Sequence, residues 1–328
     1  MLSKSNTDTR RLMKMNMFAD RERPLVSVVI PSFNQGKFIA ETLRSCLEQP
    51  YRPIEILVQD GGSTDETISV LRHFNVPELN WISEPDDGVV DAVNKGLRRA
   101  KGEILSIQSS DDVFLDGALE AAVEAFSHDP TIGLIYGDVE LIDQDSRVTG
   151  ADIQGPFDLA MCFGRMMYVP QPGTFFSRTA LEAVGGWRKE FSYTADADLW
   201  FRIAIHFPVR KLNRFTARYR YHPLQRDRHR AAISRDWERM ACDLIANQPL
   251  DDRTRRYARS GIYLVRHRYT DARHWWTRTK ALYGAMSVNP AALLHAGFPK
   301  KELLPGREPI WKQLSRAKRA LGFRPRGT

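Results

Sequence analysis

Cysteine is scarce in this chain. Cys46, Cys162 and Cys242 are odd in number and widely spaced. That excludes a disulfide framework and a cysteine metal site, and it fits the thiols of a reduced, cytoplasmic protein. Long apolar runs are also missing. No stretch approaches the roughly 18 uninterrupted apolar residues of a membrane span. Residues 1–23 are polar, lack the apolar core of a signal peptide, and are expected to form a flexible leader. The first strand-like segment runs into "PSFNQGKF" with no Gly-x-Gly-x-x-Gly, and no Gly-x-x-x-x-Gly-Lys occurs anywhere. Both absences argue against a dinucleotide dehydrogenase and a P-loop NTPase. There is no internal repeat and no low-complexity tract.

What is present is ordinary globular material: 328 residues, 42% hydrophobic and 27% charged, enough for one large domain or two smaller ones. The charge is uneven. Residues 1–206 carry 20 Lys and Arg against 31 Asp and Glu, and residues 207–328 carry 28 against 9. A basic back half either meets something anionic or is a solvated surface, and both readings stand at this level. Its arginines are spread over many helix-like segments with no recognisable binding motif, so nucleic acid is not the expected partner.

Periodicity orders the front half. "LVSVVIPSFN", "IEILVQD", "NWIS", "EILSI" and "IGLIYGDVELID" read as strands. "KFIAETLRSCLEQ", "STDETISVLRHF" (with Ser63 as N-cap), "GVVDAVNKGLRRA" and "DGALEAAVEAF" read as the intervening helices. Such βαβα alternation predicts an α/β fold with an open, mostly parallel sheet flanked by helices. After Gly150 the spacing predicts a loop, a short strand and a helix in "VPQPGTFFSRTALEAVGGW", a helix at "DADLWFRIAIHF" and a strand at "RFTARYRYH". The expected organisation is a leader, a domain over residues 24–228, and a basic helical accessory region over 229–328.

In open α/β sheets ligands bind beyond the carboxyl ends of the strands. Asp60, Asp86 with Asp87, and Asp111 with Asp112 all fall there. Carboxylates repel a phosphate unless a cation lies between, and Mg²⁺ or Mn²⁺ suits a site of one or two carboxylates plus phosphate oxygens and water. Asp111 and Asp112 are therefore expected to converge on a divalent metal that bridges a diphosphate; the alternative is an exposed Asp-Asp turn. Asp196 and Asp198 open a helix, where the dipole favours a carboxylate. An N-cap accounts for one of them, not both.

"VSVVIPSFNQGKFIAETLRSCLEQ", "IEILVQDGGSTDET", "SEPDDGVVDAVNKGLRRAKGEI", "SSDD" and "DADLWFRIA" together resemble glycosyltransferase family 2, the inverting enzymes of GT-A fold, and the "SEPDDGVVDAVNKG" block resembles the branch that builds bacterial surface polysaccharides. The resemblance covers about residues 24–225. It implies a nucleotide-diphosphate-sugar donor, a saccharide or lipid-linked saccharide acceptor, and a divalent metal, Mn²⁺ or Mg²⁺. It implies that Pro31, Phe33, Asn34 and Asp60 line the base and ribose with Ser63 nearby. By the same resemblance Asp87, Asp91 and Asn94 lie near the donor sugar, Asp111 and Asp112 carry metal and diphosphate, Gln171 makes an acceptor-side or phosphate-side contact, and Asp196 is the catalytic base. The chain departs from the family pattern at Ser109, the first position of the family's DxD motif, and at Ala195, where many members have Glu. "QRDRH" over residues 225–229 has His in place of the Trp of processive members. A sugar nucleotidyltransferase is the rival enzyme, but it would show a Gly-rich basic segment after the first strand.

Other residues receive plainer readings. His222 either reaches the metal or diphosphate or is a structural or surface histidine, the latter being the preferred reading, and Trp187 and Trp200 are expected to be core. Arg218 and Arg220 either touch phosphate or form an exposed strand face. "IWKQLSRAKRALGF" over residues 310–323 has the pattern of an interfacial helix on an anionic membrane, and "RHWWTRTK" adds Trp275 and Trp276. Packing on its own domain is the preferred reading of that tail.

Overall fold

In the computed structural model of the chain, residues 23–165, 169–223, 225 and 229–289 are described. They divide into two compact units: Met1–Leu159 with Tyr168–Met240, and Ala160–Met167 with Ala241–Thr328.

The first unit contains a nine-stranded sheet. Its elements in chain order are β1 (Val26–Ser32), α1 (Ile39–Leu47), β2 (Ile54–Asp60), α2 (Thr67–His73), β3 (Leu79–Ser83), α3 (Val89–Arg99), β4 (Ile104–Ile107), β5 (Val113–Phe114), α4 (Ala118–His128), β6 (Leu134–Ile142) and β7 (Val148–Asp152). The chain crosses to the second unit with α5 (Leu159–Arg165) and returns for β8 (Phe175–Ser177), α6 (Arg178–Val184), α7 (Ala195–His206) and β9 (Val209–Arg220). Strands β3-β2-β1-β4 are parallel, β8 runs antiparallel to both β4 and β6, and β9 is parallel to β6. The carboxyl ends of β1, β2, β3, β4, β6 and β9 therefore share one edge of the sheet.

Burial explains the pattern. Every residue of β1 is buried, as expected of a parallel strand covered on both faces. Val28, Ile30, Ile56 and Val58 pack with α1 and α4 on one side; Val29, Leu57, Leu105 and Ile107 pack with α3 and α7 on the other. Helix α3 approaches β1 so closely at Gly96 that a Cβ there would lie 2.3 Å from Val29 Cγ1. Trp200 is fully buried against Phe176, and Trp187 is buried too, as expected.

Three local readings change. Strand β9 begins at Val209, and β7 and the two-residue β5 carry no periodicity signal, since β7 is exposed along its whole length. Helix α2 begins at Thr67, not after Ser63. Glu66 stands at the N-cap position, the Asp65 carboxylate accepts from Thr67 N (2.9 Å), and Ser63 is bonded elsewhere, as described below.

Helix α8 (Arg230–Asn247) leads into the second unit, which continues through α9 (Asp252–Tyr269) and α10 (Trp275–Val288). Asp251 caps α9 by accepting from Thr254 N at 2.6 Å. Leu264, Leu282 and Ala285 form its core. Among the described residues no helix is long and apolar enough to cross a membrane. The tail segment 310–323 lies outside them.

Candidate active site at the strand ends

The loops after β1 and β2 are knitted together by short polar side chains. Asp60 ends β2 with no exposed surface. Its carboxylate accepts from Gly62 N (3.1 Å), Ser63 N (2.8 Å), Ser63 Oγ (2.5 Å) and Ser83 Oγ (2.7 Å). Ser63 Oγ in turn accepts from Asn34 N at 2.7 Å, and Asn34 Oδ1 accepts from Thr64 N at 2.9 Å. Asn34 holds φ at 52°, a left-handed conformation that asparagine tolerates. Pro31 is inside β1, while Phe33 follows it with 59% of its surface exposed. An exposed aromatic ring above a rigid polar loop offers a flat apolar face.

A second group gathers at the start of α3. The Asp87 backbone N–H donates to Asp91 (3.3 Å), and Lys95 bridges Asp91 (3.2 Å) and Glu84 (3.1 Å). The Asp87 amide, followed by Lys95, holds the Asp91 carboxyl below the usual carboxylate range. Asp87 is exposed and meets Lys189 at 3.1 Å. Asn94 is committed to the Trp187 backbone, donating to its carbonyl (2.8 Å) and accepting from its N–H (2.9 Å). These contacts fasten Asp87 and Asn94 to the segment that leads into α7, and Asp91 to Asp87 and Lys95.

The SSDD turn follows β4, and its two aspartates do not converge. Asp111 turns its Oδ2 toward His222 Nε2 at 2.9 Å. Asp112 is buried the other way, its Oδ1 accepting from Arg220 N at 2.9 Å. Gln171 is brought against the same turn, donating to Ser109 Oγ (3.1 Å) and Ile107 O (3.4 Å). His222 is 6% exposed, with its ring 4.9 Å from that of Phe38. It is thus a buried histidine paired with Asp111 and not a surface one. Arg220 is likewise no exposed strand residue. It is fully buried and donates from Nε to Asp111 O at 2.7 Å, whereas Arg218 pairs with Glu140 at 2.8 Å.

A carboxylate oxygen and an imidazole nitrogen facing each other would suit a divalent cation that takes its other ligands from a bound molecule and water. Among the described residues no cluster of three or more His, Cys, Asp or Glu could hold a metal by itself. A cation here would depend on its ligand for the remaining positions.

The two acids of α7 also separate. Asp198 has no exposed surface and is gripped by Arg188 Nε (3.0 Å) and Nη2, and by Arg202 Nε (2.9 Å) and Nη2 (2.8 Å). Asp196, in the same first turn, is partly exposed. Thr194 precedes α7 without capping it through its side chain, so neither aspartate is the N-cap. Burial pushes the Cys46 thiol up to about 12, which leaves it inert as a nucleophile.

Comparison with known proteins agrees with this architecture. The model of glycosyl transferase family 2 matches residues 27–185. An uncharacterized glycosyltransferase of Mycobacterium tuberculosis is 34% identical over 187 residues, covering 56% of this chain and 70% of the relative. Chondroitin synthase of Escherichia coli is 26% identical over 207 residues, 62% of this chain but 30% of that much longer protein. Among solved structures, the mannosyltransferase PcManGT from Pyrobaculum calidifontis, in complex with GDP-Man and Mn²⁺, superposes with a TM-score of 0.61 at 20% identity, over 97% of this chain and 88% of that one. S. aureus TarS 1-349 in complex with UDP-GlcNAc gives 0.59 at 14% identity, over 82% and 91%. The sheet and its flanking helices are thus the GT-A architecture expected from the motifs. With the family match, the mycobacterial relative and the shared fold in agreement, the chain belongs to glycosyl transferase family 2 and is a glycosyltransferase.

Proposed function

We propose that this glycosyltransferase works with inversion and with a divalent metal, moving a sugar from a nucleotide-diphosphate donor to a saccharide or lipid-linked saccharide in surface-polysaccharide assembly. The observation that carries the metal and donor reading is the Asp111–His222 pair, 2.9 Å apart at the carboxyl edge of the sheet. Asp111 and His222 would hold the ion, and Asp112 backs the turn. The loop of Pro31, Phe33 and Asn34, rigidified by Asp60 and Ser63, receives the base and ribose. Asp87 and Asp91 border the donor sugar, Asn94 secures their helix, and Gln171 stands beside the diphosphate. Asp196 takes the proton from the acceptor hydroxyl as its oxygen bonds to the anomeric carbon. The bond from that carbon to the diphosphate oxygen breaks, and the nucleoside diphosphate departs with the electron pair. When bound, Mn²⁺ or Mg²⁺ supplies neutralisation of the charge on the departing diphosphate. Two fold neighbours hold GDP-Man with Mn²⁺ and UDP-GlcNAc, which supports a nucleotide sugar without selecting the base.

Thermal unfolding with UDP, GDP and TDP, each with and without Mn²⁺, tests this. At about 100 times its Kd one nucleotide should add about 2.7 kcal/mol. The shift should vanish when Mn²⁺ is chelated and in Asp111→Ala. Stabilisation equal in chelator and in Mn²⁺ would remove the metal from the reading.

A membrane-proximal acceptor is supported by α10. This helix buries Ala281, Leu282 and Ala285 and exposes Trp275 (58%), Trp276 (47%), Tyr283 (73%) and Met286 (42%). Lys280 lies 5.7 Å from the Trp276 ring centroid. Amphipathic aromatic rings beside basic side chains suit the headgroup layer of an anionic bilayer. Full-length protein is expected to pellet with anionic phospholipid vesicles. The triple change Trp275→Ala, Trp276→Ala and Tyr283→Ala should reduce pelleting several-fold; undiminished pelleting would rule this face out.

A further inference from the structure

Arg220 is the residue whose placement the proposed chemistry leaves unexplained. It has no exposed surface, so it is no phosphate-binding arginine waiting in solvent. A buried guanidinium persists only when its donors are satisfied. Here Nε donates to Asp111 O (2.7 Å), Nη1 to Asp143 O (3.1 Å) and Ser146 Oγ (2.8 Å), and Nη2 to Glu41 Oε2 (2.7 Å). Its backbone N–H donates to Asp112 Oδ1 (2.9 Å), and its carbonyl accepts from Gln225 Nε2. Its guanidinium also lies over Phe38, 5.0 Å from the ring centroid, and that same ring packs against His222.

One residue thus holds the main chain of Asp111 and the side chain of Asp112, and it stands two positions before His222. The outer end of its guanidinium is fixed by a second layer. Ser146 Oγ donates to Glu41 Oε2 at 2.7 Å while accepting from Arg220, so Glu41 and Ser146 bind each other as well as the arginine. Ser146 sits in the turn between β6 and β7 at a φ of 63°, a left-handed conformation uncommon for serine. Glycine would relax that turn, but it would lose the hydroxyl that joins Glu41 to Arg220.

We propose that Arg220, anchored by Glu41 and Ser146, is a positioning residue that sets the mutual geometry of Asp111 and His222 for the divalent cation. The proposal rests on the reading of Asp111 and His222 as the metal pair. Partners that orient metal ligands without touching the metal typically change affinity about 10–100-fold when removed.

The test measures Mn²⁺ affinity from the Mn²⁺ dependence of the melting shift given by whichever of UDP, GDP or TDP stabilises wild type, on wild type, Ser146→Gly, Glu41→Gln and Asp111→Ala. Melting temperatures are read in parallel. Ser146→Gly and Glu41→Gln are expected to weaken Mn²⁺ binding about ten-fold or more. Ser146→Gly should melt close to wild type, because the strain relieved at the positive φ offsets the lost hydroxyl bonds. A brace that serves stability alone would lower the melting temperature and leave Mn²⁺ affinity untouched. Mn²⁺ affinity within two-fold of wild type in both brace variants, alongside a loss in Asp111→Ala, would overturn the positioning role and leave the metal pair standing. Equal Mn²⁺ binding by Asp111→Ala and wild type would overturn the metal pair and this proposal with it. Arg220→Lys is a further variant: lysine keeps the charge but cannot span Asp111 and Glu41 together, so it should not restore affinity.

Discussion

Asp196→Asn is expected to lower kcat by about 10²–10⁴-fold, the range for removing a general base. The substitution keeps size and shape and removes the proton acceptor. Asp196 is partly exposed in the first turn of α7, so neither folding nor the Mn²⁺-dependent nucleotide shift should change. The measurement is turnover with the donor selected by the nucleotide screen, beside melting curves with and without Mn²⁺. A kcat near that of wild type would remove Asp196 as the base. A lost nucleotide shift would mean that it serves donor binding instead.

Two residues further along α7, Asp198→Asn is expected to do the reverse. Its carboxylate has no exposed surface and is shared between Arg188 and Arg202, the latter also nearly buried. Arg202 is held further by the carbonyls of Val184 (2.5 Å), Gly185 (3.2 Å) and Gly186 (2.7 Å). Removing one member of a buried ion group leaves the others charged and uncompensated, at a cost of about 3–5 kcal/mol. That is a large share of the roughly 5–15 kcal/mol that holds a typical domain folded. Denaturant unfolding should show a much lower midpoint for Asp198→Asn. Any molecules that remain folded should turn over better than Asp196→Asn. Full stability in Asp198→Asn would mean that the two arginines find solvent or other partners, and the ion group would lose its structural role. The pair of variants separates the two aspartates of the "DADL" segment, which no reading of helix caps distinguishes.

Much of the fold was legible because its signals are local. An apolar run such as Val26–Ile30 must be buried on both faces, and alternation of such runs with helical periodicity leaves little besides a parallel α/β sheet. Placement of Asp60, Asp87 and Asp111 beyond strand ends followed from the same logic. Ser63 shows where local logic stops. Its spacing to Glu66 fits a capping box, yet its hydroxyl is taken by Asp60 at 2.5 Å, three residues upstream in a loop whose path depends on Asn34 and Ser83.

By itself, then, the sequence determined the layer architecture, the sheet edge on which the proposed site lies and the acids available there, since each depends on periodicity within a few residues. Only the tertiary structure decided which member of each acidic pair faces outward. Asp111 and Asp112 are chain neighbours, and what separates them is contact with His222 and Arg220, more than one hundred residues away. The same holds for the brace, in which Glu41 meets Arg220 across a separation of 179 residues. Such pairings leave no periodic trace in the chain, because they are made by pairing strand β9 with β5 and β6 and not by anything in the local run of residues.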